Sequence, residues 1–285
     1  MIDRRIFLGG ALGVLLTATR ASADEAADKF DALEKAIGGR LGACILDTGS
    51  GKHLSHRGDE RFALLSTFKA LAAGCVLARV DRGEERLDRR VMYSQADVLS
   101  YAPVAKLHVN DGMTMAEICD AAIGVSDNTA GNLQLASFGG PAGLTKWLRS
   151  IGDNVTRLDR IETALNEAKP GDLRDTTTPN AVAETWRKLL TGNALKPASQ
   201  KQLAEWLVNS KVGNTRLRAG LPRDWRTGDK TGTNDVGCAN DVAITWPPGR
   251  APLIIASYLD HADGTPQQRD AVHADVARIA AAWRA

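Results

Sequence analysis

Segments with the composition of β-strands lie near both ends of this 285-residue chain, and the stretch between them is helical. Residues 40–46 and 52–57 flank a glycine-containing turn, and residues 226–233, 239–246 and 252–259 are β-rich runs in the last third. Strands so far apart in sequence bury their apolar side chains most simply by joining one sheet. We therefore expect a sheet domain assembled from both ends, an inserted helical domain, and a cleft between them.

The helical candidates are recognised by apolar residues spaced three and four positions apart. The helix predicted over residues 265–283 is amphipathic and would pack against the sheet. The others fall in the middle of the chain: residues 67–80, 115–123, 129–138, 142–151, 180–191 and 197–210.

The first 23 residues have the organisation of an export signal. A charged start is followed by a mostly apolar run over residues 6–18, and Ala21-Ser22-Ala23 offers the small-x-small pattern of a signal-peptidase site. The apolar run is shorter than the roughly 20 residues that a membrane span needs. Arg4-Arg5 also resembles a twin-arginine signal. We expect a signal peptide over residues 1–23, cleaved near Ala23, and a periplasmic or secreted mature protein with no stable membrane association.

The charge of the chain argues against a polyanionic partner. The formal net charge is +2, and the segment before residue 24 carries all of it, with three arginines and one aspartate. The rest of the chain is neutral, so we expect no nucleic-acid partner. The four cysteines and five histidines show no spacing typical of a metal site, and no metal or other cofactor is predicted.

Ser66 and Lys69 form an S-x-x-K pair at the start of the helix predicted over residues 67–80. A serine needs a base within hydrogen-bond reach to act as a nucleophile, and residues three apart on a helix share a face. Backbone N–H groups at a helix start would also stabilise a developing oxyanion. The alternative is an ordinary N-cap serine followed by a solvated lysine, and this pattern alone does not distinguish the two.

Two further motifs combine polar groups with probable turn or strand positions, and each also has a plain structural interpretation. Ser126-Asp127-Asn128 could project a hydroxyl and an amide into a cleft, or simply cap the following helix. Lys230-Thr231-Gly232 could present a strand edge to a ligand, because glycine permits close approach to the backbone. Alternatively, the three residues could form a tight turn. The motif lacks the spacing of a P-loop.

Together, in this order, the three motifs resemble the active-site signature of the serine β-lactamases and penicillin-binding proteins. A long charged segment then resembles the omega loop of class A β-lactamases. It contains Glu162-x-x-Leu165-Asn166 and is flanked by Arg160 and Asp175, which we expect to form a bidentate pair that closes the loop. A glutamate and an asparagine held together there could activate a water molecule.

The resemblance implies a fold and a domain division. The expected fold is α/β (α+β), with an antiparallel sheet flanked by helices and an inserted all-α domain. The sheet domain would comprise residues 24–61 and 209–285, and the all-helical domain residues 62–208, including the omega loop over 157–175.

The resemblance also implies residue roles. Ser66 would be the nucleophile, and Lys69 or a water held by Glu162 would be the acylation base, a choice that the sequence leaves open. Ser126 would pass a proton to the departing lactam nitrogen, and the backbone N–H groups of Ser66 and Thr233 would form the oxyanion hole. The residues expected to bind substrate are Tyr101, Asn128, Asn166, Arg216, Lys230, Thr231, Gly232 and Thr233.

The chain departs from the family pattern in several places. Thr163 follows Glu162 at a position where many relatives have proline. Family structures carry a cis peptide bond between these two positions. Cys119 matches half of a disulfide found in some members, but Cys75 is displaced by two positions from the expected partner, so pairing is doubtful. Leu65 and Asn234 occupy the positions of a cysteine pair found in carbapenem-hydrolysing relatives.

Three functions are compatible with these motifs. The leading prediction is an exported, monomeric class A serine β-lactamase that hydrolyses penicillins and cephalosporins through a Ser66 acyl-enzyme. The alternative is a peptidoglycan D,D-peptidase or penicillin-binding protein with slow deacylation. A non-catalytic sensor of β-lactams or muropeptides would require a damaged set of motifs, whereas each expected polar group is present.

Overall fold

A computed structural model describes residues 9–283, with side chains from residue 23 onward. The helices are α1 Gly9–Ile37, α2 Phe68–Asp81, α3 Met115–Gly124, α4 Asn128–Ala136, α5 Gly140–Ser150, α6 Pro179–Leu190, α7 Pro197–Val208, α8 Leu217–Gly220 and α9 Pro266–Ala282. The strands are β1 Arg40–Asp47, β2 His53–His56, β3 Phe62–Ala63, β4 Arg90–Val91, β5 Met113–Thr114, β6 Thr176–Thr177, β7 Arg226–Thr233, β8 Ala239–Trp246 and β9 Leu253–Asp260.

The strands from the two ends of the chain form one antiparallel sheet, as predicted. Its order is β2-β1-β9-β8-β7, so β9 lies between the N-terminal hairpin and the β7–β8 hairpin. The register pairs Ala43 with Ser257 and Ala243 with Ile255. The predicted strands and helices agree with the observed ones to within one or two residues at most ends.

Alternate residues of the central strands pack into different cores, because successive side chains of a strand point to opposite faces. On one face Leu41, Ala43 and Ile45 of β1 join Phe30 of α1 and Val276 of α9. On the other face, Leu46, Val242, Ile254 and Tyr258 join the apolar residues of the helical region, including Phe68, Leu71 and Leu203. The sheet is therefore buried on both sides, and the helical region shares its core with the sheet.

Three predictions about the chain are tested only in part by the described residues. Residues 1–8 of the predicted signal peptide lie outside the described residues, and so do the side chains of residues 9–22. The predicted cleavage point after Ala23 falls within α1. Among residues 9–283, no helix is both long and apolar enough to cross a bilayer. The domain boundaries after residues 61 and 208 stay predictions.

Candidate active site

Ser66 lies in a short 3-10 turn, Leu65–Thr67, that leads directly into α2. Its hydroxyl does not cap the helix but accepts a hydrogen bond from Lys69 Nζ at 2.9 Å. Leu65 has a φ of 46°, in the left-handed region that L-residues rarely adopt. A Cβ at Gly232 of β7 would lie 3.1 Å from the backbone nitrogen of Ser66. Glycine at this position therefore allows β7 to lie beside the predicted nucleophile.

Lys69 is fully buried and is the centre of the polar network. Its ammonium group donates to Ser66 Oγ at 2.9 Å, to Asn128 Oδ1 at 2.7 Å and to the carbonyl of Ser126 at 2.9 Å. It also lies 2.9 Å from Glu162 Oε1. Burial lowers the pKa of Lys69, and the negative charge of Glu162 opposes this shift. The neutral amine of Lys69 therefore forms more readily than that of an exposed lysine.

Ser126 connects Lys69 with the second lysine of the site. Its backbone is left-handed, with a φ of 59°, and its hydroxyl accepts a hydrogen bond from Lys230 Nζ at 3.0 Å. Lys230 also donates to the carbonyl of Thr231 at 2.8 Å and is fully buried. Burial lowers the pKa of Lys230 well below its ordinary value, and the nearby charge of Lys69 adds to this effect.

The middle residue of the second motif has a structural part. Asp127 is the N-cap of α4, where Oδ1 accepts from the backbone N–H of Ala130 at 2.9 Å. Its Oδ2 accepts from the N–H groups of Val104 and Ala105 at 3.0 and 2.9 Å. These bonds fix the segment that carries Tyr101 against the start of α4. The capping interpretation therefore applies to Asp127, while Ser126 and Asn128 line the cleft.

Glu162 reaches the nucleophile from the long loop over residues 157–175. Its Oε1 accepts from Ser66 Oγ at 3.3 Å, and its Oε2 accepts from Asn166 Nδ2 at 2.6 Å. The peptide bond between Glu162 and Thr163 is cis, although Thr163 is not proline. Side chains predicted from two distant motifs are thus within hydrogen-bond distance of one hydroxyl group.

Asn132 holds the backbone of Glu162, and the sequence analysis missed it. Its side-chain oxygen accepts from the N–H of Glu162 at 2.9 Å, and its amide nitrogen donates to the carbonyl of the same residue at 3.1 Å. The sequence did carry a signal: Asn132 lies four residues after Asn128, on the same face of α4.

Arg160 and Asp175 close the loop, but the predicted bidentate pair is wrong. Only Nε of Arg160 donates to Asp175, at Oδ2 and 2.5 Å, while Nη1 of the same guanidinium donates to Glu167 Oε2 at 2.7 Å. Asp175 Oδ1 is occupied by the backbone N–H groups of Asp159 and Arg160. Because these two amides fill that oxygen, the carboxylate cannot present both oxygens to the arginine.

These groups open onto a cleft of about 1120 Å³. Tyr101 is half exposed at its mouth and donates a hydrogen bond to the carbonyl of Val125 at 3.2 Å. Lys230 lies beneath the cleft surface. The other predicted residues that line it are Ser66, Tyr101, Ser126, Asn128, Arg160, Asn166, Arg216, Thr231, Gly232 and Thr233.

Arg216 is held beside β7 by four hydrogen bonds. Its Nη1 donates to the carbonyls of Gly232 and Asn240 at 2.9 and 2.7 Å, and its Nη2 donates to Thr233 Oγ1 at 2.7 Å. Its Nε donates to Asp270 Oδ1 at 2.7 Å, a partner from α9 that the sequence analysis missed. These contacts use four of the five N–H groups of the guanidinium, and they fix its charge next to the Thr233 hydroxyl.

The residues that depart from the family pattern have clear positions. Cys75 and Cys119 are both buried free thiols, so they form no disulfide. Asn234 donates through Nδ2 to the carbonyl of Asn166 at 3.0 Å, which joins the turn after β7 to the omega loop. In this chain a hydrogen bond therefore links the Asn234 turn to the omega loop.

Comparisons with known proteins agree with this geometry. Residues 25–283 match the model of the family described as "Beta-lactamase enzyme family". The chain is 47% identical over 270 residues to "Beta-lactamase AST-1" from Nocardia asteroides, covering 95% of this chain and 87% of that protein.

Solved structures of class A enzymes are also similar. An ancestral class A β-lactamase designated GNCA is 59% identical and superposes with a TM-score of 0.88, covering 89% of this chain and 98% of that one. The structure designated GNCA4, from the last common ancestor of Gram-negative bacteria, is 58% identical with a TM-score of 0.88, covering 89% and 97%. The chain therefore belongs to the β-lactamase enzyme family and is a class A serine β-lactamase, a hydrolase that opens the cyclic amide of β-lactams.

Proposed function

We propose that Ser66 attacks the β-lactam carbonyl and that Glu162 activates the water that releases the resulting acyl-enzyme. The observation that carries this proposal is the convergence of Lys69 Nζ and Glu162 Oε1 on Ser66 Oγ, at 2.9 and 3.3 Å. The Glu162 carboxylate accepts from the attacking hydroxyl, and Lys69 would be a second proton acceptor in its neutral form. Only Glu162, paired with Asn166, is attached to the loop that covers the cleft and can hold a water there.

Acylation proceeds through linked proton and bond movements. The Ser66 proton moves to Lys69 directly, or to Glu162 through water, while Oγ bonds to the lactam carbonyl carbon. The backbone N–H groups of Ser66 and Thr233 stabilise the oxyanion. The C–N bond of the ring then breaks, and Ser126, hydrogen-bonded to Lys230, supplies its proton to the leaving nitrogen. The proton taken from Ser66 returns to Ser126 through Lys69, whose Nζ lies 3.4 Å from Ser126 Oγ. The product is an ester on Ser66.

Deacylation uses a different proton path. Glu162 takes a proton from water, the hydroxide attacks the ester carbonyl, and Ser66 leaves as its hydroxyl when the proton is returned. This step separates a β-lactamase from a penicillin-binding protein, in which the ester persists. Glu162 is buried, its carboxylate accepts a hydrogen bond from Asn166, and its backbone is held by Asn132; this arrangement supports hydrolysis over slow release.

Substrate binding is proposed to depend on complementary charge and on the edge of β7. Lys230, Arg216 and the hydroxyl groups of Thr231 and Thr233 would face the carboxylate of penicillins and cephalosporins. The Asn128 and Asn166 side chains would contact the acylamino group, and Tyr101 would border the mouth. The substrates are then carboxylate-bearing bicyclic β-lactams.

We further propose that the protein is exported, cleaved near Ala23 and active as a monomer. The family match begins at residue 25, which supports a mature chain that starts close to Asp24. N-terminal sequencing of the exported protein tests the cleavage point, and light scattering tests the monomer. A mature N-terminus far from Asp24, or a stable dimer, would contradict these proposals.

Time-resolved intact mass spectrometry with excess benzylpenicillin tests the mechanism. We expect the protein to return to its starting mass while the drug gains one water. An adduct that stays on the protein for minutes would instead place it with the slowly deacylating penicillin-binding proteins. Peptide mapping of any trapped adduct should locate it on Ser66.

A further inference from the structure

Three potential metal ligands meet where the sheet ends, beyond the last pair of β8 and β9. The ladder pairs Ala239 with Leu259, so Cys238 and Asp260 are the next opposed residues and share a face. His261 would ordinarily point to the other face. Its φ of 51° breaks the alternation and brings the ring back toward Cys238 and Asp260.

The donor atoms of the three side chains are close together. Cys238 Sγ lies 3.4 Å from Asp260 Oδ1 and 4.0 Å from His261 Nδ1, and the nitrogen lies 2.6 Å from Oδ1. Tetrahedral zinc, with a Zn–S bond of about 2.3 Å and Zn–N and Zn–O bonds of about 2.0 Å, separates such donors by roughly 3.3–3.6 Å. Small rotations of the His261 ring and the carboxylate would therefore admit the ion.

Neighbouring groups already orient these ligands. Arg40 donates from Nε and Nη2 to Asp260 Oδ2, at 3.1 and 2.5 Å, so the other oxygen is directed to Cys238 and His261. The N–H of Cys238 donates to Asn234 Oδ1 at 3.0 Å, and the N–H of Ala262 donates to the carbonyl of Gly237 at 3.1 Å. Such outer contacts fix ligand geometry in metal sites.

The site reaches the protein surface at His261. Cys238 is 1% exposed, whereas the His261 side chain is 36% exposed and that of Asp260 is 17% exposed. An ion can therefore enter past His261, with water as the fourth ligand. The three residues do not line the catalytic cleft.

We propose that Cys238, Asp260 and His261 form a binding site for a thiophilic divalent cation such as Zn²⁺. Binding exchanges the thiol proton for the metal: the Cys238 S–H bond breaks, an S–metal bond forms, and one proton is released to solvent. The His261 proton that faces Asp260 moves from Nδ1 to Nε2, so that the Nδ1 lone pair binds the metal. Because the metal replaces a proton on the thiol, affinity should rise with pH. The alternative is a hydrogen-bonded trio with no affinity for metal.

Cobalt titration of the reduced, purified protein distinguishes the two. We expect a sulfur-to-cobalt charge-transfer band in the near ultraviolet that saturates at one equivalent of Co²⁺. The band should be lost in Cys238→Ser and retained in Cys44→Ser, a matched change at another buried cysteine of the same sheet. No band in the unmodified protein, or an unchanged band in Cys238→Ser, would overturn the proposal.

A second variant covers the case in which Cys238→Ser folds poorly. Asparagine tolerates positive φ, so His261→Asn should keep the backbone while removing the imidazole. We expect Zn²⁺ affinity, measured by calorimetry, to fall at least about tenfold in this variant. His53→Asn, at an exposed residue of β2, should bind like the unmodified protein. Equal affinity in all three proteins would show adventitious surface binding and refute the site.

Discussion

Lys69 and Lys230 occupy the same cleft floor but have different electrostatic partners. Lys69 faces the Glu162 carboxylate at 2.9 Å, whereas Lys230 is influenced by the positive charge of Lys69. Burial lowers the pKa of both amines, and the carboxylate counters this shift at Lys69. The network therefore places an amine in contact with a carboxylate next to Ser66, and a second, more readily neutralised amine next to Ser126.

Removal of the Glu162 carboxylate should separate acylation from deacylation. In Glu162→Gln, Lys69 still reaches Ser66, so acylation continues, but no base remains for the hydrolytic water. We expect deacylation to slow by about 10²- to 10⁴-fold and the acyl-enzyme to accumulate on Ser66. Stopped-flow measurement with intact mass analysis checks this. Glu84→Gln, at an exposed carboxylate, is the control, and rapid turnover by Glu162→Gln would refute the assignment.

Arg216 should contribute to binding of the substrate carboxylate more than to the chemical step. A charge-assisted hydrogen bond is worth about 1.5–3 kcal/mol, so Arg216→Ala should raise KM by about 10- to 100-fold and change kcat less. Arg223→Ala, at an exposed arginine nearby, is the control. A β-lactam whose carboxylate is esterified should show no such difference between variants. An unchanged KM for benzylpenicillin would exclude Arg216 from substrate binding.

At the scale of structural elements, the omega loop depends on contacts at both ends and in its middle. Asp175 accepts two backbone N–H groups and one guanidinium N–H, and Asn132 of α4 holds the peptide of Glu162. The turn after β7 adds the bond from Asn234 to Asn166. Three different elements therefore determine where the Glu162 carboxylate lies.

The Arg160–Asp175 pair should be costly to break because Asp175 is fully buried. We expect Asp175→Asn to lower the free energy of unfolding by about 3 kcal/mol, since the Arg160 guanidinium loses its fully buried anion and keeps only the more exposed carboxylate of Glu167 as a close partner. Deacylation should slow as the loop loosens. Asp88→Asn removes an exposed pair with Arg86 and should cost less than about 1 kcal/mol. Similar denaturation midpoints for the two variants would contradict the prediction.

The contacts of Glu34, where α1 meets β2, should make the free energy of unfolding depend on pH. Glu34 accepts hydrogen bonds from Arg57 at 2.6 and 2.7 Å and from the N–H of Leu41 at 2.9 Å. The Arg57 contacts lower the pKa of Glu34 from 4.5 to about 2. Because the folded pKa is depressed, the stabilisation is present above about pH 4.5 and is lost as pH falls toward 2.

This stabilisation amounts to about 3 kcal/mol, because the pKa of Glu34 falls by about 2.5 on folding. Glu34→Gln should therefore melt at a lower temperature than the unmodified protein near pH 7, and the difference should shrink near pH 3. Calorimetry across this range checks it, with Glu205→Gln of α7 as the control. A difference in melting temperature that does not change with pH would contradict the assigned cause.

At the scale of the whole molecule, the sheet joins the two proposed domains through one core. Leu46, Val242 and Ile254 of the sheet pack with Phe68 and Leu71 of α2. The helical region would expose this apolar surface if it separated from the sheet, at a cost of about 25 cal/mol for each Å². The two regions are therefore mutually dependent.

We expect a single cooperative thermal transition for the purified protein. Because the core crosses the proposed boundaries after residues 61 and 208, neither region should unfold alone. Differential scanning calorimetry should then give equal calorimetric and van't Hoff enthalpies. Two resolved transitions, or a van't Hoff enthalpy well below the calorimetric one, would show that the domains unfold independently.

Local sequence patterns were sufficient to predict most elements and the main motif residues. The alternation of apolar residues and the position of glycines determine strands and helices over short windows, so β7 and β8 were predicted with the observed bounds. The residues of each motif around Ser66, Ser126 and Lys230 lie within three positions of one another, so their spacing along the chain largely fixes their relation in space.

Contacts between distant elements were decided only by the tertiary structure. Asn132, Asp270 and the trio of Cys238, Asp260 and His261 act through partners far away in sequence, or through a backbone turn that local patterning does not reveal. The bidentate Arg160–Asp175 pair was wrong because two backbone amides already fill one carboxylate oxygen. Strand register and helix packing set such distances, since they bring together groups whose spacing along the chain carries no information about their separation in space.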